Sequence, residues 1–243
     1  MDFDIVFIAL AGLTLAGVVK GATGLGYASC ALPFLVLAVG LKTAMAVVIV
    51  PAMATNVSLA FMTGNFREVV TRFQWLYVAM FPGVAIGVYL LQWVSQPVAI
   101  KTLGMVIMTY VIFALARPDL VLPVLWHRRL QWPTGLLNGI ITGLTGAQVM
   151  PLFPYVMSLK LDADRTVQVI NIAVLISTSF LAIGLIATGI MTPTLLGISV
   201  LAVGPAIAGT YLGNFIRQKI PVAHFRRIVL CTLLLVGFVM LAR

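Results

Sequence analysis

GVVKGATG at residues 17–24 and GIITGLTG at 139–146 carry one pattern at one offset. Gly17, Gly21, Thr23 and Gly24 recur as Gly139, Gly143, Thr145 and Gly146, each 122 residues further on. Twice that offset nearly exhausts the 243 residues, so the chain reads as one module written twice, 1–122 and 123–243, within one integral membrane domain. Each copy breaks an apolar helix with glycines. A duplicated module with an interrupted membrane segment in each half points to a transporter binding site.

Composition sets the solvent. Hydrophobic residues make up 62% of the chain and charged residues 9%, with a mean hydropathy of +1.14. A soluble domain cannot hide that much apolar surface, so lipid surrounds most of it. The apolar runs are long and continuous rather than short and alternating, which selects helices over a β-barrel. The start, MDFDIV, is acidic and lacks the positive region of a secretory signal, so the first run reads as a retained helix. The net charge of +9 sits in short loops, which fits membrane orientation and gives no basic face for nucleic acid. Cys30 and Cys231 fall inside apolar runs and read as packing thiols; no metal cluster and no cofactor are expected.

Apolar stretches fall at about 4–20, 25–39, 43–63, 74–92, 97–116, 133–146, 147–159, 166–188, 193–213 and 223–242. A full span takes roughly 20 residues, so eight of these read as full segments. The second and seventh, both following the glycine motif, read as short or broken. If all ten cross, eleven basic residues (Arg67, Arg72, Arg117, Arg128, Arg129, Lys160, Arg165, Arg217, Lys219, Arg226 and Arg227) share one side. Only Lys42, Lys101 and Arg243 lie on the other. That bias makes the first side cytoplasmic and puts both termini outside. If the two short stretches re-enter instead, the split is about even and orients nothing. Five crossings per half is odd, so the copies are inverted, and loop charge agrees: GNFREVVTR is basic where its counterpart TGIMTP is not, while QWVSQP is uncharged where NFIRQKIPVAHFRR is basic. Gly87, Tyr89 and Leu90 match Gly209, Tyr211 and Leu212, and Thr55-Asn56 matches Ser177-Thr178, at the same offset.

The six acids, Asp2, Asp4, Glu68, Asp119, Asp162 and Asp164, all lie in termini or loops. Cation pumps and proton relays place carboxylates inside the bundle, so a cation cargo is disfavoured. No GxSxG, HExxH or membrane-depth histidine supports an intramembrane hydrolase, and no enzymatic activity is expected; His127 and His224 sit in basic loops. An anion fits better. A helix restarting after a break offers free N–H groups and the positive end of its dipole. The breaks at Gly21–Gly26 and Gly143–Gly146 are expected to supply two such ends near the midplane, with Gly21, Thr23, Gly24, Gly26, Gly143, Thr145 and Gly146 as candidate binding residues. Glycines at four-residue spacing are equally a helix-packing signal. Lys20 reads as a residue snorkelling to the interface, or as a counter-charge for the anion. Asn56, Gln148 and Asn171 face a cavity or bond across helices. Trp75, Trp93, Trp126 and Trp132 fall near segment ends, as an interfacial belt does.

The stretches GVVKGATGLGYASCALPFLVLAVGLKTAMAV and GLLNGIITGLTGAQVMPLFPYVMSLKLDADRT, with the PGVAIGVYL and GPAIAGTYLG helices, resemble the two modules of the sulfite exporter TauE/SafE family over nearly the full length. Tyr27 stands where many members carry a further glycine, and Gln148 replaces glycine in the second copy. The resemblance implies a bacterial inner-membrane permease for sulfite, organosulfonates or related sulfur-containing anions. Alternating access is then expected as one repeat rocks against the other. The alternatives are a passive anion channel and a non-transporting scaffold or assembly factor. A narrow polar cavity between the breaks favours transport, and a dry packed centre favours the scaffold. The partners expected are a small anion and the lipid bilayer, with a homo-oligomer left open.

Overall fold

Pro51 sits inside a 22-residue helix, and its missing N–H frees the carbonyl of Val47 one turn back. The structure answers that gap from the other half of the chain. Ser199 Oγ donates to Val47 O (2.9 Å) and accepts from Val50 N (3.1 Å). Ser199→Ala strands both backbone groups in an apolar interior and is expected to cost about 1–3 kcal/mol, read as a lower unfolding temperature in detergent.

The structure is a computed structural model. It describes the backbone of all residues except 1–2, 24–26, 63–65, 117–119, 220–221 and 243, and the side chains of those residues except 3–11, 23, 58–62, 214, 217–219, 222–226 and 228. The described residues form helices and no strands. In chain order these are α1 (Phe3–Thr23), α2 (Tyr27–Val39), α3 (Leu41–Met62), α4 (Phe66–Arg72), α5 (Gln74–Trp93), α6 (Gln96–Ala116) and α7 (Val124–Arg129). There follow α8 (Gln131–Thr145), α9 (Leu152–Ser158), α10 (Ala163–Ala187), α11 (Pro193–Leu201), α12 (Val203–Lys219) and α13 (Val222–Ala242). Among the described residues, Gln74–Trp93, Gln96–Ala116, Ala163–Ala187 and Pro193–Gly213 are long and apolar enough to span a membrane. Shorter apolar helical stretches lie at Gly12–Ala22, Tyr27–Val39, Leu41–Val57 and Val229–Ala242. With its outward-facing apolar side chains, from Val78 and Phe81 to Leu235 and Phe238, this is a multi-pass membrane protein. Trp75, Trp93, Trp126 and Trp132 are all exposed.

Three local expectations change. The stretch 193–213 is two helices that meet at Ala202, just before Gly204-Pro205. The basic loops contain short helices, α4 and α7, and His127 on α7 contacts Leu122 O (2.8 Å). Cys30 is buried as expected, but Cys231 is exposed on the outer surface.

Helices pair across the two halves of the sequence. α5 lies along α8, and α1 along α12. On the first pair, Gly83 meets Gly139 and Gly87 meets Gly143, so both helices run in the same direction. A Cβ at Gly143 would stand 2.5 Å from Val84 O and 2.7 Å from Val88 N. On the second pair, Gly17 meets Gly209, whose own Cβ would stand 2.2 Å from Thr14 O. Small residues let helix backbones approach this closely in lipid. α6 and α13 cross in opposite directions, with Gly104 by Met240 and Met108 by Gly237.

The contacts sort the helices into two groups that each draw on both halves. α1, α2 and α3 pack with α11 and α12; α8, α9 and α10 pack with α4 and α5. Between the groups run the α3–α10 contacts; the α6–α13 pair lies against both, α6 on α8, α2 and α3, and α13 on α1 and α2. The 122 offset recurs in the hydrogen bonds. Thr55 donates to Pro51 O (2.8 Å) and Ala52 O (3.1 Å), and Ser177 donates to Ala173 O (2.8 Å) and Val174 O (3.2 Å). At one end of the second group, Arg165 joins α10 to α4 through Glu68 (3.1 Å). Its backbone N–H and guanidinium also hold the Asp162 carboxyl below its ordinary range.

Candidate functional site

The second break begins at Gly146, not at Gly143. α8 continues through Gly143, and Gly146 ends it with φ +75°, the left-handed geometry that glycine adopts without strain. Thr145 Oγ1 donates to Ile141 O (2.7 Å) and accepts from Ala147 N (3.2 Å), so its hydroxyl serves the helix end. The chain then runs non-helically from Ala147 to Pro151 before α9 starts. α9 has seven residues, and the N–H of Phe153 in its first turn is already bonded to Val149 O (3.0 Å). Little of the expected helix-dipole cradle is left at this break. Side-chain groups take its place. At the first break α1 runs through Gly21 to Thr23; Gly24 and Gly26, and the side chain of Thr23, lie outside the described residues.

Asn56, Gln148 and Asn171 come together on one cavity between the two helix groups. Its lining includes Tyr27 and Ser29 of α2, Asn56 of α3, Gln148 of the break, Phe153 of α9 and Asn171 of α10. The volume is about 20 Å³, enough for about one water. Gln148 Nε2 donates to Thr178 Oγ1 (2.8 Å), while its Oε1 has no partner among the described residues. Asn171 Nδ2 donates to Val167 O (2.8 Å). The Tyr27 hydroxyl is buried and has no partner among the described residues. A second cavity of about 10 Å³ adjoins through Ala28 and Gln148 and includes Gly146 and Thr178.

Lys20 does not snorkel. It is 1% exposed, and its ammonium donates to Asn56 Oδ1. α1 lies against α12, and a basic side chain held between helices has no path to the headgroups. Among the described residues no carboxylate pairs with it; the ion pairs are Arg165 with Glu68 and with Asp162. Asn56 and Thr178, 122 residues apart, are each bonded by a group from their own half: Lys20 before the first break, Gln148 within the second.

Two groups of residues escaped the sequence reading. Tyr27 entered it only as a departure from glycine, because a tyrosine in an apolar run gives no sign of whether its hydroxyl finds a partner. The second group is a polar face on α8: Gln131, Thr134, Asn138, Thr142 and Thr145 are all buried. Their spacing of three and four residues is visible in the sequence, but the glycines between them drew the reading. Among the described residues no cluster of His, Cys, Asp or Glu could hold a metal ion.

Comparison with known proteins gives one match. The family model described as Sulfite exporter TauE/SafE covers residues 8–240, nearly the whole chain. No curated protein and no solved structure matches.

Proposed function

The chain belongs to the sulfite exporter TauE/SafE family, and from that premise we propose that it is a bacterial inner-membrane permease for a small sulfur-containing anion, sulfite or an organosulfonate. Lys20 carries the anionic reading. A buried ammonium without a counter-ion is costly in an apolar interior, and its amide partner Asn56 opens onto the polar cavity. An anion seated against Asn56, Tyr27, Gln148 and Asn171 supplies the missing charge. The break at Gly146 shapes one side of that seat, beside Gln148. A cavity fit for one water is smaller than any such cargo, so the conformation is closed and must open to load.

Helix directions support ten crossings and an inverted repeat. α1 and α12 are parallel while α6 and α13 are antiparallel. With the remaining segments crossing, both relations hold together only if the two short segments cross as well. The loop-charge bias then places both termini outside. The polar cavity between the breaks favours transport over a scaffold. The units that rock are the two interleaved helix groups rather than the two halves of the sequence, because the closest packing joins α1 to α12 and α5 to α8.

Thermal unfolding of purified protein with a panel of small anions tests the reading. A bound anion at a hundredfold excess over its Kd stabilises by about 2.7 kcal/mol. Lys20→Met removes a buried cation that no carboxylate pairs with among the described residues, and is expected to fold and to lose the anion-dependent shift. An equal shift in the variant would sink Lys20 as counter-charge.

A further inference from the structure

We infer that the buried polar face of α8 is a hydrated route from the central cavity to the end of the bundle that carries α4 and α7. Its residues, Gln131, Thr134, Asn138, Thr142 and Thr145, follow one another at helical spacing over about 21 Å of rise, and Gln148, just past the helix end at Gly146, lines the cavity. Asn138 is the decisive residue. It is 0% exposed, and neither its Nδ2 nor its Oδ1 has a hydrogen-bond partner among the described residues. Gln131 Oε1 at one end and Gln148 Oε1 at the other are also unpartnered among the described residues. Fully buried amides without partners are rare in folded proteins because each forfeits its hydration. Three such amides along one stretch of chain, two on this face and one just beyond its end, need a polar visitor.

Packing does not demand this face. The residues 122 positions earlier on α1 are Ala9, Gly12, Ala16, Lys20 and Thr23, so the corresponding helix is built with small apolar residues over its first half. The face is also distinct from the Gly135–Gly139–Gly143 ridge that meets α5. At the outer end, Gln131 Nε2 donates to Arg72 O (3.0 Å) beside the basic helices. Tyr155 of α9 closes over it by donating to His127 O. Separation of α9 from α8 would open the line to that side, and the cargo, on the transport reading above, would follow the same polar groups.

Two measurements test the route. Asn138→Leu replaces an unpartnered amide by an apolar side chain of similar size. A purely structural residue so replaced would leave flux intact. On the route, the variant unfolds at a higher temperature while anion flux in proteoliposomes falls at least tenfold; unchanged flux in the folded variant overturns the inference. Where Asn138→Leu does not fold, Asn138→Ala takes its place under the same criterion. Independently, Asn138→Cys in a background lacking Cys30 and Cys231 is treated with a water-soluble thiol reagent. Labelling above that of lipid-facing Leu137→Cys supports the route, and labelling no greater than Leu137→Cys overturns it. Labelling needs no transport, so a protein that moves no anion yet labels at position 138 loses the transport reading and keeps the hydrated face.

Discussion

Oxidation of a Gly104→Cys, Met240→Cys protein will reduce anion flux to background, and a reductant will restore it. The same treatment of a Val88→Cys, Gly184→Cys protein will leave flux running. Both pairs are close enough to bridge after a small shift. A Cβ built at Gly104 lies 3.1 Å from Met240 Cβ, and one built at Gly184 lies 3.4 Å from Val88 Cβ, against about 3.5–4.5 Å in disulfides. They differ in what they join. Gly104 and Met240 tie α6, which touches α8 of the second group as well as α2 and α3, to α13, which packs on α1 and α2 of the first, whereas Val88 and Gly184 tie α5 to α10 inside one group. Rocking that carries α6 with α8 and α13 with α1 needs the first contact to slide and the second to stay. The experiment belongs in a Cys30→Ala, Cys231→Ser background, with each bridge verified by mass spectrometry. Flux that survives the first bridge, or that is blocked equally by both, removes these groups as the moving units.

Segment positions were legible because lipid demands long uninterrupted apolar runs, and α5, α6, α10 and α13 begin and end close to where hydropathy put them. Pairing was not. In a bilayer the tails are as apolar as the side chains, so hydropathy names no partner. GxxxG at Gly139–Gly143 marks a close-packing face without saying that Gly83 and Gly87 will fill it. Lys20 shows a different limit. Near the end of α1, a lysine that reaches the headgroups and one that turns inward to Asn56 have the same sequence, and only the neighbouring helices decide. Asn138 was readable in principle, since Gln131, Thr134, Asn138, Thr142 and Thr145 repeat at helical spacing, yet the pattern becomes informative only once that face is seen to point inward.

Gly143→Leu is expected to remove the folded protein altogether, whereas Gly197→Leu leaves it near parental stability. The difference follows from what a side chain meets. A Cβ at Gly197 has no atom within 4 Å, and α11 there faces outward. A Cβ at Gly143 meets Val84 O at 2.5 Å, Val88 N at 2.7 Å and Gly87 Cα at 2.8 Å, all backbone. Overpacking a core costs about 1–3 kcal/mol when side chains can yield; a helix backbone cannot yield without moving the whole helix. Pushing α8 off α5 also opens the Gly83–Gly139 and Leu76–Gly135 contacts along the same ridge, so the loss accumulates over three turns. Even Gly143→Ala carries the offending Cβ and should lower the unfolding temperature, by less than leucine. Size-exclusion profiles and thermal unfolding in detergent read both variants. A monodisperse Gly143→Leu protein with parental stability would mean that the α5–α8 ridge is not what holds that half of the bundle together, and the rigid group built on it would fall as well.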